Sequence, residues 1–206
     1  MKLIVLLLHS LLAQSGESTV WDKVQNARRD SPVTALSIES QHQSKGFFKD
    51  ILLAAQQGEI GPTLRTRASK LGLHLRVETN IAFLWERSGS GGLYVIRLGE
   101  AENILLQAPH SFFDLGTGQL VSTMFENGPF RAAFFNTTHR YGKAGLAPEE
   151  RPADPPDLAH LSDTRFQAAT LGASEAYRDL TVIQLHGFRS RDGEAAVVTT
   201  GSALQP

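Results

Sequence analysis

Apolar residues recur along the chain with two spacings, one typical of strands and one typical of helices. Short apolar or alternating runs predict strands over residues 71–77, 81–85, 93–98, 103–108, 131–136, 180–185 and 195–200. Apolar positions at helical spacing predict helices over 45–57, around 120–125 and over 162–177, the last capped by Ser162. Strands that alternate with helices are typical of βαβ units. We therefore predict an α/β fold with three layers, in which helices cover both faces of a mostly parallel mixed sheet.

The chain of 206 residues divides into three segments by this pattern. Residues 1–15 carry one Lys, an apolar run and the small residues Ala13 and Ser15, a layout typical of a secretory signal peptide. The run is shorter than the roughly 20 apolar residues that span a bilayer. We therefore expect export to the periplasm or secretion, with no stable membrane span in the mature chain. Residues 16–44 form a polar lead-in, and residues 45–206 form a single α/β domain that we expect to be truncated at its C-terminus.

Composition and charge narrow the chemistry that is open to this chain. The 20 Lys and Arg residues and the 21 Asp and Glu residues nearly cancel, with a formal net charge of −1. Binding to a phosphate backbone needs a basic excess, so nucleic acid is not an expected partner. Cysteine is absent, which excludes disulfides, thiolate metal sites and cysteine nucleophiles. Any metal ion must therefore be held by His, Asp or Glu.

Two of the predicted strands are apolar enough to be buried on both faces, and each is followed by a histidine. Residues 103–108 lead to His110, and residues 180–185 lead directly to His186. In parallel sheets ligands bind beyond the carboxyl ends of the strands, and neighbouring strands lie about 4.8 Å apart. Asp114 follows His110 by four positions, so one helical turn would bring its carboxylate to the same side. Two imidazoles and one carboxylate can bind a catalytic zinc ion, and the fourth coordination position of that ion then stays open.

A structural interpretation of the same three residues stays open. The two histidines would then only cap strand carbonyls, and Asp114 would form a turn. Other polar residues stand at the end of the predicted strand over 131–136 and directly after it. Arg140 is placed to hold a substrate carboxylate through two hydrogen bonds, and His139 or Asn136 to stabilise an oxyanion. An exposed polar loop is the alternative for that segment.

Two residues, one at the end of the Pro-rich segment over 147–157 and one shortly after it, are further candidates. Asp157 and His160 could enter the site as a general base, as partners of the ligands or as an additional ligand. Alternatively, they only initiate the helix predicted from Ser162.

The sequence motifs around both histidines carry a resemblance to a known superfamily. Residues 108–111 read Ala-Pro-His-Ser, and residues 185–187 read Leu-His-Gly at the end of a later strand. This pattern resembles the zinc amidohydrolases of the phosphorylase/hydrolase-like fold, over residues 93–200 in the order of elements. The group includes N-formylglutamate amidohydrolases, phage-type poly-γ-glutamate hydrolases and, more distantly, zinc carboxypeptidases.

The resemblance implies specific roles for five of the candidate residues. It implies that Zn²⁺ is held by His110, Asp114 and His186, and that Asn136 and Arg140 clamp a small peptide or amide substrate. The pattern departs from the His-x-x-Glu of carboxypeptidases in its spacing and in having Asp, and the late catalytic Glu of those enzymes is missing. The expected function is zinc-dependent hydrolysis of an amide or peptide bond in a carboxylate-bearing substrate.

Two alternatives remain at the level of sequence. The first is a degenerate, non-catalytic exported binding domain of the same fold, which the missing late Glu favours. The second is a metal-free acyltransferase, in which His110 is the base and Asp114 orients it in a His-x-x-x-Asp pattern. The acyltransferase gives His186 no role, and Leu115 stands where that pattern has glycine.

Overall fold

The computed structural model describes residues 19–29, 33–87, 91–142, 144–151, 158 and 161–187. Within them, the helices are α1 (Val20–Ala27), α2 (Ile38–Gln56), α3 (Pro62–Lys70), α4 (Thr117–Asn127) and α5 (Arg165–Ala176). The strands are β1 (Leu73–Glu78), β2 (Ile81–Glu86), β3 (Gly92–Arg97), β4 (Glu102–Ala108), β5 (Phe130–Asn136) and β6 (Thr181–Gln184). The signal peptide predicted over residues 1–15 and the strand predicted over 195–200 lie outside the described residues. Export therefore stays a prediction.

The six strands form one mixed sheet in the order β1-β2-β3-β5-β4-β6. The pairs β1–β2, β2–β3 and β3–β5 are antiparallel, whereas β4 pairs in parallel with β5 and with β6. The prediction of a mostly parallel sheet is therefore wrong, because this sheet is mostly antiparallel. Connection length is the physical reason: only Thr79 and Asn80 join β1 to β2, and a parallel pair needs a crossover of a dozen or more residues.

Helices pack on both faces of the sheet, as predicted. Side chains of a strand alternate between the two faces, so neighbouring residues enter different cores. One core lies under α2, α3 and α5 and includes Phe48, Tyr94 and Phe134. The other lies under α1 and α4 and includes Val95 and Phe135. The α/β class is thus confirmed, and the described helices include none that is long and apolar enough to cross a membrane.

The helices differ from the sequence prediction at their N-terminal sides. The lead-in over 16–44 contains α1, which a capping box between Thr19 and Asp22 starts, and it contains the first turns of α2. The helix predicted from 162 begins at Arg165 instead. Thr164 rather than Ser162 caps it, because the Thr164 side chain accepts a hydrogen bond from the Gln167 amide.

Candidate metal centre

The two strands that lead to the predicted histidines are neighbours in the sheet. Strand β6 pairs in parallel with β4, with Gln184 opposite Gln107. The pairing continues past β6, since the Leu185 amide donates to the Gln107 carbonyl over 2.9 Å. Both strands therefore end at the same edge of the sheet, and His186 follows β6 at the point where His110 follows β4.

A single helical turn after β4 brings Asp114 next to His110. The amides of Phe113 and Asp114 both donate to the His110 carbonyl over 2.9 Å. The turn does not continue, because Gly116 takes a left-handed conformation with φ +79° and α4 begins after it. As a result, His110 Nδ1 lies 3.1 Å from Asp114 Oδ2.

Three ligand atoms meet at this edge with separations that suit one small cation. His186 Nδ1 lies 3.3 Å from His110 Nδ1 and 3.8 Å from Asp114 Oδ2. With the 3.1 Å separation between His110 and Asp114, a point equidistant from all three atoms lies about 2.0 Å from each, which is the usual length of zinc–nitrogen and zinc–oxygen bonds. His110, Asp114 and His186 therefore form a group that could hold a metal ion.

Burial of the three side chains is unequal, so the group faces solvent on one side. The side chains of His110 and Asp114 are only 3% and 8% exposed, whereas that of His186 is 39% exposed. An ion held here would thus be anchored in the protein on one side. The open side is where a water molecule or a substrate atom would take a fourth position.

Gly187 completes the surroundings of Asp114. Its amide donates to Asp114 Oδ2 over 2.8 Å. A Cβ atom at this position would lie only 2.9 Å from the Asp114 Cβ, closer than side chains normally approach. A glycine after His186 therefore lets the chain after β6 close onto the carboxylate.

The three residues predicted at the end of β5 and after it lie around this centre in different ways. Asn136 is fully buried, with its Nδ2 donating to the Pro109 carbonyl over 2.8 Å and its Oδ1 accepting from the Thr138 amide over 2.7 Å. Its amide thus supports the chain just before His110. His139 is also buried, and its Nδ1 accepts from the Tyr141 amide over 3.3 Å.

The Phe113 ring connects the centre to the segment after β5. Its centroid lies 6.5 Å from that of His110, 5.4 Å from that of His139 and 5.3 Å from that of Tyr141. The Arg140 guanidinium lies over the same ring at 5.5 Å. His139 and Arg140 therefore contact the same aromatic ring that packs against His110. Their roles toward a substrate stay predictions. Asp157 and His160 lie outside the described residues.

The site also contains two glutamines that the sequence interpretation did not select. Gln184 contacts His186, and Gln107 contacts Gln184. The signal was present in the sequence, because each glutamine ends an apolar run two or three residues before a candidate ligand. A polar side chain in such a strand needs a hydrogen-bond partner, and that need points to the strand end.

The described residues also line a cavity of about 720 Å³ on the α1 side of the sheet, between α1 and strands β1 to β3. Its lining includes Lys23, Arg76 and Trp85, and none of the three candidate ligands.

Comparison of the chain with protein-family models, with curated proteins and with solved structures finds no match. The resemblance to zinc amidohydrolases therefore stays a prediction.

Proposed function

We propose that this chain is a zinc-dependent hydrolase that cleaves an amide or peptide bond in a carboxylate-bearing substrate. The observation that carries the proposal is the triangle of His110 Nδ1, Asp114 Oδ2 and His186 Nδ1, with a common point about 2.0 Å from each atom. Two imidazoles and one carboxylate suit zinc better than magnesium or calcium, which prefer oxygen ligands. Three protein ligands also leave the fourth position that catalytic zinc sites keep open.

Each residue has a distinct role in this proposal. Bound zinc supplies a polarised water at neutral pH. His110 and His186 offer neutral nitrogen atoms, and Asp114 offsets part of the cationic charge while the Gly187 amide fixes its Oδ2. Arg140 would hold the substrate carboxylate through a two-pronged hydrogen bond, since its guanidinium lies over the Phe113 ring, which also packs against His110.

Metal content is the first test of the proposal. The full chain, purified without chelator, should contain about one equivalent of zinc by elemental analysis, and His110→Ala and His186→Ala should each lose it. His42→Ala is the matched control, because His42 is exposed on α2. Wild-type protein that binds no zinc even after incubation with it would disprove the proposal.

Turnover is the second test. The zinc-loaded chain should hydrolyse members of a panel of N-acyl amino acids, γ-glutamyl peptides and α-peptides, with a preference for substrates that carry a free carboxylate. A chelator should abolish turnover, and added zinc should restore it. Arg140→Gln should raise KM for the carboxylate-bearing substrates more than it lowers kcat. Tight zinc binding without turnover of any substrate would support a degenerate binding domain instead.

One observation favours a second candidate, the metal-free acyltransferase. His110 Nδ1 lies 3.1 Å from Asp114 Oδ2, the contact by which a carboxylate orients a histidine whose Nε2 acts as a base. The two candidates differ in their need for His186. Acyl transfer from a thioester that resists chelators and survives His186→Ala, but not His110→Ala, would favour the acyltransferase.

A further inference from the structure

A continuous chain of side-chain hydrogen bonds runs from the exposed ligand into the core of the protein. His186 Nε2 lies 2.8 Å from Gln184 Oε1, and Gln184 Nε2 donates to Gln107 Oε1 over 3.1 Å. Gln107 Nε2 donates to the Thr170 hydroxyl over 2.7 Å, and that hydroxyl donates to the Phe166 carbonyl over 2.9 Å. This series of hydrogen bonds thus links β6 through β4 to α5.

The direction of these hydrogen bonds is fixed from the core outward. The Thr170 hydroxyl donates its hydrogen to Phe166, so its oxygen accepts from the Gln107 amide. Gln107 must then present its carbonyl oxygen to Gln184, which in turn presents its own carbonyl oxygen to the imidazole. A carbonyl oxygen only accepts, and so the imidazole must carry its hydrogen on Nε2.

This hydrogen placement leaves the opposite ring nitrogen as a lone-pair donor. In a neutral imidazole, one nitrogen carries hydrogen and the other is free to bind a metal ion. His186 Nδ1 is the atom that lies near His110 and Asp114. The hydrogen bond to Gln184 therefore selects the ring orientation and the tautomer that a metal ion at this centre requires.

The burial of Gln107 supports a specific role for the chain of hydrogen bonds. Gln107 is only 2% exposed, between the buried Leu106 and Ala108. Burying an amide without partners costs free energy, and here both ends of the amide are bonded. His186 is the most exposed of the three ligands and follows a short strand, so it has the greatest need of such support.

We propose that Gln184, held by Gln107, is a positioning residue that keeps His186 in its Nε2–H form, with Nδ1 directed at the ion. The part of this inference that concerns the metal rests on the proposed function. The part that concerns the tautomer does not, because it holds in the metal-free protein as well.

Zinc affinity is the first measurement. Gln184→Leu removes the acceptor, and since Gln184 is exposed, the variant should fold normally. We expect its zinc dissociation constant, measured by competition with a chromophoric chelator, to rise 10- to 100-fold, as for other residues that orient metal ligands. Gln184→Glu keeps an acceptor oxygen toward His186 but no longer donates to Gln107 Oε1, so it should recover only part of the affinity. Thr181→Val, an exposed position of the same strand, is the matched control and should bind zinc like the wild type.

The tautomer is the second measurement, made on the metal-free protein. Nitrogen-15 NMR at a pH well above the ordinary imidazole pKa of about 6.5 distinguishes the two neutral tautomers, and the His186 signal is the one absent from His186→Ala. We expect the Nε2–H form in the wild type and in Gln184→Glu, and a mixture of both forms in Gln184→Leu. Gln107→Leu should shift the populations in the same direction.

The outcomes separate this inference from the proposed function. Wild-type protein that binds no zinc, yet shows the Nε2–H form that Gln184→Leu loses, would overturn the proposed function and uphold the positioning role. Gln184→Leu with the wild-type tautomer would overturn the positioning role, whatever the zinc content.

Discussion

Glu86 is a carboxylic acid at the end of β2 that folding removes from water. Burial raises the pKa of its carboxyl, and the charge of Arg165 lowers that pKa by less. Arg165 Nε lies 3.5 Å from Glu86 Oε1, and the buried Tyr94 ring is close enough for the Glu86 charge to raise the tyrosine pKa further. The net effect is that the folded protein holds the Glu86 proton more tightly than the unfolded chain does.

We predict that Glu86 makes the folded state less stable as the pH rises. Because its pKa is raised on folding, its favourable contribution is complete below the ordinary pKa of 4.5 and is lost as the pH rises through the folded pKa. Glu86→Gln mimics the protonated acid, so its free energy of unfolding should exceed that of the wild type at pH values above both pKa values and match it in acid. Urea unfolding across that range measures the difference.

The control variant should change the free energy of unfolding in the opposite direction. Hydrogen bonding and charge from Lys45 lower the pKa of Glu175, so Glu175→Gln should be less stable than the wild type at neutral pH, with the difference vanishing in acid. A Glu86→Gln variant that is destabilised at neutral pH would contradict the expected sign.

Gly187 is a residue whose missing side chain matters. A methyl group there would meet Asp114 Cβ at 2.9 Å and Asp114 Cγ at 3.2 Å. We predict that Gly187→Ala displaces the carboxylate and weakens zinc binding by about tenfold, the lower end of the effect of residues that orient ligands. The measurement is the zinc dissociation constant. Gly46→Ala is the control, because nothing lies within 4 Å of its added Cβ; equal affinities in both variants would contradict the role of Gly187.

At the scale of elements, β6 leads to the candidate ligand His186 and is weakly packed. All four of its residues are exposed, and Val182 and Ile183 are 43% and 36% exposed. Among the described strands, it is hydrogen-bonded to β4 alone. The expectation that this segment is a buried strand is therefore wrong, because an apolar run does not reveal whether the sheet continues beyond it.

We predict that zinc holds β6 onto the sheet. The Leu185 amide, which donates to the Gln107 carbonyl, should exchange its hydrogen faster than the amides of β5 in the metal-free protein, because an edge strand opens locally at low cost. Saturating zinc should slow that exchange. His186→Ala should abolish the slowing while leaving β5 unchanged; equal protection of Leu185 with and without zinc would contradict this link.

The elements that the sequence predicts best are those with strong local patterns. Strands β2 to β5 and the core of α2 match their predicted positions to within a few residues. Helices α1 and α3 were missed, because they are short and bury few side chains: Val20 and Val24 in α1, and Ala68 in α3. A capping box begins α1, and a proline at the first helical position begins α3.

At the scale of the whole molecule, the candidate centre joins parts of the chain that are 76 positions apart. An ion that binds the folded chain and not the unfolded one must stabilise the folded state by mass action. We predict that free zinc at 100 times its dissociation constant raises the free energy of unfolding by about 2.7 kcal/mol. Urea unfolding with and without zinc measures this increment.

The increment should vanish in His186→Ala and persist in His42→Ala. The same increment in both variants would show that zinc binds elsewhere on the chain. This test needs no substrate, so it decides on the metal centre even where the search for turnover fails.

The sequence by itself determined the α/β class, most strands and the three candidate ligands, because each depends on local information. Apolar spacing reflects which residues a strand or helix buries, and one helical turn fixes where Asp114 lies relative to His110. The predicted metal site required the two histidine-bearing strands to be neighbours, and the pairing of β6 with β4 meets that condition.

Only the tertiary structure decided the strand order, the directions of the strands and the contacts around His186. Backbone hydrogen bonds between strands are nearly the same for any sequence, so the choice of neighbour depends on how all the side chains pack together. The pairing of Gln184 with Gln107 depends on that choice, since a shift of β6 by one residue would turn Gln184 to the opposite face. The candidate ligands can therefore be found in the sequence, whereas the residues that contact them from neighbouring strands appear only once the sheet is assembled.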